Sequence, residues 1–288
     1  MKQIEFEKIL TNENVKLGLS FYDIQDNDYE QTCISAIKSI KSNNILLNKA
    51  FEVYNIIYGN DERISDLWEV HDVREVFGEN NIPFITNILV LLGAEQHQNT
   101  FINYKFDNKQ IDIHKKRVKE CLTNDIYNRQ YESIRISQML WGSYFITGKL
   151  IEVGRLQYAC YGDCIKIHIP PGSKLDFDEV KKSIQDSKGE IKKYYNKENV
   201  DYCCKSWLLS KQIKQMVNEE SNISKFQSLF TIEEGDSCIK NILNFVYSTT
   251  QIEDYNLLPE NTSLQKQIKE YLIKGNDIKE GKGKLIIM

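Results

Sequence analysis

Apolar residues in the first half of the chain recur at spacings of three and four. Ile34 and Ile37 lead into Leu46, Leu47, Ala50, Phe51, Tyr54 and Ile57, and after Pro83 the pattern returns at Ile85, Ile88, Leu89 and Leu92. Val118, Leu122 and Ile126 sit four apart, and Ile134, Trp141 and Phe145 continue the stripe. This is the period of helices buried along one face. Hardly any stretch before Phe145 alternates with period two, so the spacing predicts a helical module over about residues 1–145.

Near Gly148 the period changes. In Val153 to Cys160, Leu156, Tyr158 and Cys160 alternate with Arg155, Gln157 and Ala159. After the turn residues Tyr161-Gly162-Asp163, Ile165, Ile167 and Ile169 alternate with Lys166 and His168. Two alternating runs around a short turn predict an antiparallel hairpin. Pro170-Pro171-Gly172 ends its second strand, because proline has no N–H to give a ladder. Asp176 is placed to cap a following helix, with Glu179 reaching back and Phe177, Val180, Ile184 and Ile191 as its apolar stripe. Tyr202 to Leu209 reads as a buried strand, followed by helices around Ile213 to Val217, Ile223 to Leu229 and Cys238 to Tyr247. Thr262-Ser263-Leu264-Gln265 is a capping box opening a helix that Gly275 stops, and Lys284 to Met288 reads as a terminal strand. No repeat and no Gly/Pro/Ser-rich linker interrupts the chain. The pattern predicts an α+β protein, with a helical N-terminal domain at residues 1–147 and a second domain at residues 148–288.

Composition narrows the classes. A length of 288 residues fits two domains at about 150 residues each. With 41% hydrophobic and 27% charged residues, a folded core is expected rather than disorder. The balance of 37 basic and 41 acidic residues, net −4, argues against a general nucleic-acid binder. The opening segment MKQIEFEKIL has no apolar export core. The longest apolar stretch, residues 82–94, is short and broken by Pro83, Thr86, Asn87 and Gly93, so no membrane partner is expected. The expected address is the cytoplasm, where the seven cysteines stay reduced and form no disulfide. Cys160, Cys164 and His168 lack the Cys-x-x-Cys spacing of zinc sites, and adjacent Cys203 and Cys204 point apart on a strand, so no metal is expected. Lys181, Lys182, Lys188, Lys192 and Lys193 read as a solvated helix face, and Gly281-Lys282-Gly283 as a lone turn.

Several phrases occur in a fixed order. They are Gly154-Arg155-Leu156-Gln157-Tyr158, then Ile167-His168-Ile169-Pro170-Pro171-Gly172, then Cys204-Lys205-Ser206-Trp207-Leu208-Leu209. Ser221-Asn222-Ile223 with Phe226, and Leu258-Pro259-Glu260 with Thr262-Ser263-Leu264-Gln265, complete the set. In this order they resemble the GNAT-like acyltransferase domain that follows a helical N-terminal domain in a family of bacterial proteins. The resemblance covers most of residues 150–283. One position departs: the family pattern usually reads Cys-His-Ser-Trp, and Lys205 stands where it has His.

The resemblance implies a GNAT-like acyl-CoA N-acyltransferase fold. An acyl-CoA or acetyl-CoA co-substrate lies where two central parallel strands splay, here Ile165 to Ile169 and Tyr202 to Leu209. A small-molecule or peptide amine is the acceptor. On this mapping His168 takes the amine proton and Ser206 donates a hydrogen bond at the splay. Ile169, Gly172, Ser173, Lys174 and Trp207 hold the CoA, and Arg155, Gln157 and Cys204 meet the substrate.

The residues themselves leave alternatives open. His168 is a base or a buried hydrogen-bonding residue, and Arg155 and Gln157, sharing a strand face, grip a ligand or line a solvated face. Cys204 is a core residue or, on a longer reach, the nucleophile of a thiol hydrolase. Two prolines in the loop and the acids Asp176, Asp178 and Glu179 at the helix start suit the helix dipole but repel a phosphate. Phe226 and Phe230 occupy the segment in which a GNAT enzyme carries its acidic Tyr. These features keep a second expectation, a non-catalytic ligand-binding or interaction module on the same scaffold.

Overall fold

A computed structural model describes residues 2–58, 76–77, 80, 85–127, 142–170, 172, 174–249 and 252–286. Packing divides the chain into two compact units, Met1–Ile151 and Glu152–Met288. No described helix is long and apolar enough to cross a membrane.

Ahead of Leu150 the described elements of the first unit are helical. They are α1 (Gln3–Ile9), α2 (Asn12–Phe21), α3 (Asn27–Ser42), α4 (Asn44–Tyr58), α5 (Ile85–Leu92), α6 (Ala94–Tyr104) and α7 (Asn108–Tyr127). Side-chain oxygens start several of them: Thr11 accepts from the Asn14 N–H and Asp26 from the Tyr29 N–H. Every residue of α5 is buried, so its apolar run is a core helix. Ile134, Trp141 and His71 lie outside the described residues. His97 and His114 are core residues with no exposed surface. Tyr22 Oη shares a hydrogen bond with His97 Nδ1 at 2.9 Å, and His114 Nδ1 donates to the Phe145 carbonyl at 3.0 Å. Phe21, Phe101, Phe106 and Phe145 surround them.

The second unit is built on a mixed sheet of six strands in the order β1-β2-β3-β4-β6-β5. They are β1 (Leu150–Val153), β2 (Leu156–Ala159), β3 (Ile165–His168), β4 (Tyr202–Ser206), β5 (Phe230–Ser237) and β6 (Lys279–Leu285), with β1 beginning just ahead of the unit boundary. The predicted hairpin is β2 with β3, in the register Gln157↔His168, Tyr158↔Ile167 and Ala159↔Lys166. Helix α8 (Phe177–Tyr195) crosses from β3 to the parallel strand β4, and Asp176 caps it by accepting from the Asp178 and Glu179 N–H groups at 3.0 Å each. One hydroxyl seats this helix on the sheet. Ser183 Oγ donates to the Val153 carbonyl, accepts from the Leu156 N–H at 3.2 Å and meets Tyr158 Oη at 2.8 Å. Helices α9 (Lys211–Met216), α10 (Asn222–Gln227), α11 (Ile239–Tyr247) and α12 (Ser263–Ile273) follow, the last with the capping box read from Thr262 and Gln265.

Five expectations are corrected. The run from Val153 is interrupted by a turn at Gly154-Arg155, because Gly154 takes φ +60°; Arg155 is therefore on a turn and does not share a strand face with Gln157. The strand from Tyr202 ends at Ser206, whose hydroxyl accepts from the Leu208 N–H and opens a 3₁₀ turn over Trp207–Leu209. Strand β5 was not foreseen, and the last strand runs from Lys279 rather than Lys284. Gly281 and Gly283 sit inside it instead of forming a turn. A Cβ at Gly281 would lie 2.2 Å from the Leu209 carbonyl oxygen, so the close 3₁₀ turn demands glycine there. Finally, Cys164 and Cys203 form a disulfide. They flank the start of the β3–β4 ladder with Cα atoms 6.3 Å apart, a proximity that spacing along the chain does not reveal.

The buried histidines give the fold a pH dependence. Burial holds His97 well below the ordinary imidazole range and His114 at about 3. Both are neutral when folded, while the unfolded chain takes up protons below about pH 6.5. Their stabilising contribution is thus complete above that pH and declines as the pH falls toward 3. Thermal melts should show a midpoint that drops between pH 7 and 4. His114→Gln, which keeps a donor for Phe145 but cannot titrate, should flatten the drop; an equally steep drop in this variant would assign it to other groups.

Candidate functional site

The feature that organises the second unit is a parallel ladder that stops early. Strands β3 and β4 pair at Ile165↔Tyr202 and Lys166↔Cys203, and the register goes no further. His168 lies two residues beyond the last pair on β3, and Ser206 three beyond it on β4. Past that point the backbone edges that face each other are free of this ladder and can hold the polar groups of a bound molecule.

His168 is half-buried at the end of β3, and its Nε2 is buried with no hydrogen-bond partner. Burial, with a smaller contribution from Lys166, lowers its pKa to about 4. The imidazole is therefore neutral near pH 7, the form in which a nitrogen lone pair can take a proton. Its register partner Gln157 is fully buried and donates from Nε2 to the Glu152 carboxylate at 2.7 Å.

Arg155 sits apart from this pair. From its turn it donates Nη1 to the Pro170 carbonyl at 3.0 Å and Nε to the Lys174 carbonyl at 3.2 Å, fastening both ends of the loop after β3. Gly172 in that loop is exposed at φ +121°, a conformation that favours glycine, with open space where a Cβ would stand. Lys174 is exposed, Ile169 is half-buried, and Ser173 lies outside the described residues. The loop gathers Gly172, Lys174 and the Arg155 guanidinium close to the end of β3. The first N–H groups of α8 are already taken by the Asp176 carboxylate.

On β4, Ser206 is half-buried and its oxygen is engaged in capping the 3₁₀ turn. Trp207 opens that turn and packs on a core cluster containing Ile213, Ile242, Leu258, Ile268 and Ile278. Cys204 is buried and burial pushes its thiol to about 12, which leaves it protonated at neutral pH and removes the basis for a thiolate nucleophile. Lys205 projects to solvent and pairs with the nearly buried Glu280 at 2.7 Å, which raises the Lys205 pKa. The Phe226 and Phe230 rings pack together at 5.1 Å. Among the described residues no group of three or more His, Cys, Asp or Glu is arranged to hold a metal. The lysines of α8 are paired at the surface, Lys182 with Asp186 at 2.7 Å and Lys192 with Glu198 at 3.0 Å.

The structure thus brings His168 and Gln157 together, gathers Arg155 with the loop of Gly172 and Lys174, and places Ser206 and Trp207 where β4 ends. Sequence reasoning missed Glu152 and Glu280. Each is an ordinary acidic residue in its own segment, and only strand register puts it beside Gln157 or Lys205.

Comparison with known proteins fits this geometry. Residues 129–285 match the family described as GNAT-like C-terminal domain. Among solved structures, an acyltransferase variant in complex with octanoyl-CoA superposes with a TM-score of 0.69 at 17% identity, over 93% of this chain and 86% of that one. An acyltransferase in complex with decanoyl-CoA and teicoplanin gives 0.67 at 18% identity, over 93% and 86%. One in complex with decanoyl-CoA gives 0.63 at 15% identity, over 95% and 99%. At these identities the likeness is one of fold. Comparison with curated proteins finds no match.

The cysteine environments give a countable outcome. Cys33, Cys121, Cys160, Cys204 and Cys238 are buried and lie outside the disulfide. The native protein purified without reductant should show no rapidly reacting thiol toward an aromatic disulfide reagent. Unfolding should release five thiols, and prior reduction of the Cys164–Cys203 bond should raise the number to seven. Seven thiols without reduction would contradict the bond, and fast native labelling of Cys204 would contradict its burial.

Proposed function

We propose, from the premise that this chain belongs to the family of proteins with a GNAT-like C-terminal domain, that it is an acyl-CoA-dependent N-acyltransferase. The observation that carries the reading is the early end of the β3–β4 ladder with a buried, neutral His168 just beyond it. In this reading the thioester enters between the parted strands, where backbone N–H groups can stabilise the oxygen of the tetrahedral intermediate. His168 accepts the amine proton. Ser206 and Trp207 border the end of β4, and Cys204 contributes packing from behind. Ile169, Gly172, Ser173 and Lys174 form the CoA end, where Lys174 and Arg155 bring positive charge to a pyrophosphate. The solved structures of similar fold hold octanoyl- and decanoyl-CoA, which makes acyl chains of that length the first to test. The acceptor is a small-molecule or peptide amine, and the proposed compartment is the cytoplasm. There the state of the Cys164–Cys203 pair would follow the local thiol reductants.

One observation favours a second reading, a ligand-binding module without turnover. Asp176 occupies the first free N–H groups of α8, and Asp178 and Glu179 add negative charge at the helix end that would otherwise attract phosphate. The first reading answers this by placing the phosphates over the loop rather than on the helix axis.

Calorimetric titration with acetyl-, octanoyl- and decanoyl-CoA, followed by a free-thiol release assay over a panel of amines, separates the two. The acyltransferase should bind one of these donors and release CoA in an amine-dependent way. His168→Ala should lower the rate by about 10²–10⁴-fold with CoA affinity nearly unchanged. Binding without turnover across the panel would favour the module, and no binding at millimolar donor would remove both CoA-based readings.

A further inference from the structure

The sheet consists of two halves joined at one short seam. In the first, β2 and β3 pair at Gln157↔His168, Tyr158↔Ile167 and Ala159↔Lys166, with β1 next in the strand order. In the second, β4 pairs with β6 from Cys203↔Lys284 to Ser206↔Gly281, and β6 pairs with β5 from Phe230↔Leu285 to Ser237↔Lys279. Between the halves the ladder is Ile165↔Tyr202 and Lys166↔Cys203 alone. A ladder that short holds two strands weakly by itself. Noncovalent bonds reinforce it. The Ile165 N–H donates to the Asp201 carbonyl at 2.8 Å. Ser187 Oγ of α8 meets Tyr202 Oη at 3.2 Å, and Lys197 Nζ reaches the Cys160 and Gly162 carbonyls at 3.2 and 3.3 Å. The Cys164–Cys203 bond is the covalent member of this set. It joins the residue directly before β3 to one inside β4.

This bond is also placed to react. Cys164 and Cys203 are both partly exposed. The residues opposite Cys203 on its two neighbouring strands, Lys166 and Lys284, are exposed, so the sheet face is open at that point. The remaining five cysteines of the chain are buried, and Cys204, next in sequence, points to the other face of the sheet with 3% exposure. A thiol that attacks the bond therefore meets no other cysteine at the surface to which the disulfide could migrate.

We propose that Cys164–Cys203 is a thiol–disulfide exchange site that switches the β3–β4 seam between a fastened and a released state, with a dithiol as its reaction partner. A thiolate of the dithiol attacks one sulfur of the bond. The sulfur–sulfur bond breaks, and the other cysteine leaves with the bonding pair as a thiolate and takes up a proton. The second thiol of the dithiol, as its thiolate, then attacks the mixed disulfide. This closes the reductant's own disulfide and frees the first cysteine, which is protonated in turn. Two electrons and two protons pass to the chain, and the oxidised dithiol runs the sequence in reverse. Fastened, the bond closes a covalent loop around the whole α8 crossover and restricts the movement of β3 against β4. Released, the two halves are held by the short ladder and the noncovalent bonds. A cleft shaped in advance binds its ligand more tightly than one that must first be ordered, so the fastened state is the one that binds acyl donor. That consequence rests on the acyltransferase reading; the switch in the seam rests on the fold alone.

The test compares the full chain before and after treatment with millimolar dithiothreitol in the absence of denaturant. Alkylation and mass mapping should find two new thiols in the folded protein, at Cys164 and Cys203, and oxidised dithiothreitol should restore the bond. Hydrogen exchange should quicken by about tenfold or more in peptides covering residues 164–167 and 201–204, with the β5–β6 ladder unchanged. Calorimetry should show octanoyl-CoA affinity falling by about tenfold on reduction. The Cys164→Ala/Cys203→Ala double variant should match the reduced chain with or without dithiothreitol; should it fail to fold, chemical reduction of the parent still decides. A bond that resists dithiothreitol until the chain unfolds overturns the proposal. So does a reduced chain with unchanged exchange at the seam, or one that binds octanoyl-CoA as tightly as the oxidised chain. Reversible loosening of the seam in a chain that binds no acyl-CoA in either state supports the switch and removes the acyltransferase reading instead.

Discussion

Two residue pairs of parallel ladder hold the centre of this sheet. Between β3 and β4 the register contains only Ile165↔Tyr202 and Lys166↔Cys203, and everything that makes a cleft possible follows from how little pairing there is. So short a ladder cannot keep two strands in place by its own hydrogen bonds. Contacts outside the ladder compensate, a disulfide, two helix hydroxyls and one backbone bond. The Cys164–Cys203 bond joins residues 39 apart and encloses the whole α8 crossover. Ser183 fastens that helix to the β1–β2 turn, and Ser187 meets Tyr202 Oη at 3.2 Å from the same helix. The Ile165 N–H also bonds the Asp201 carbonyl at 2.8 Å, extending the closed end by one contact. With that end fixed, the other can part without the sheet coming apart, because β4 keeps its four-residue pairing with β6 through Ser206↔Gly281.

Burial rather than charge pairing sets the chemistry of the groups near the gap. It lowers His168 to about 4 and raises Cys204 to about 12, so both are neutral in the same pH range, one as an acceptor of protons and the other as an inert thiol. Charges are kept at the margins. Arg155 is spent on loop carbonyls, and Asp176 is spent on the helix N–H groups. The first N–H groups of α8 are thus occupied by a side chain of the chain itself, and the proposed CoA phosphates would not find an open helix end there.

Local signals carried those parts of the fold whose causes are local. The β2–β3 hairpin shows in the alternation of Ile165 and Ile167 with Lys166 and His168, α8 in its Asp176 cap and apolar stripe, and α12 in the reciprocal Thr262–Gln265 bonds. Strand β5 was hidden because it lies at the sheet edge, and after Phe230 and Ile232 its sequence turns acidic and polar, with little buried surface to impose alternation. Strand β6 was hidden by Gly281 and Gly283, which read as turn residues and are in fact required by the Leu209 turn packed against them. The end of β4 was hidden because Cys204-Lys205-Ser206-Trp207-Leu208 reads as one strand until the Ser206 hydroxyl is seen to cap the chain's change of direction. The position of His168, at a strand end before two prolines, was legible. Glu152, Glu280 and the partner of Cys164 were not, since each depends on which strands become neighbours.

The substitution of Lys205 for a histidine bears on which group can take a proton. A lysine whose ammonium is bound at 2.7 Å by a nearly buried carboxylate, with its pKa raised by that contact, stays charged through the neutral range and has no lone pair to offer. Glu280 is correspondingly committed to that ammonium, and Cys204 keeps its proton. Within the unit from Glu152 to Met288 the sequence contains one imidazole, and it stands two residues past the last β3–β4 pair. In the proposed acyl transfer the side-chain base is therefore His168 on β3 rather than the residue at position 205 on β4. This gives the neighbours of His168 on β1 and β2 an importance that they would not have if the base stood on β4.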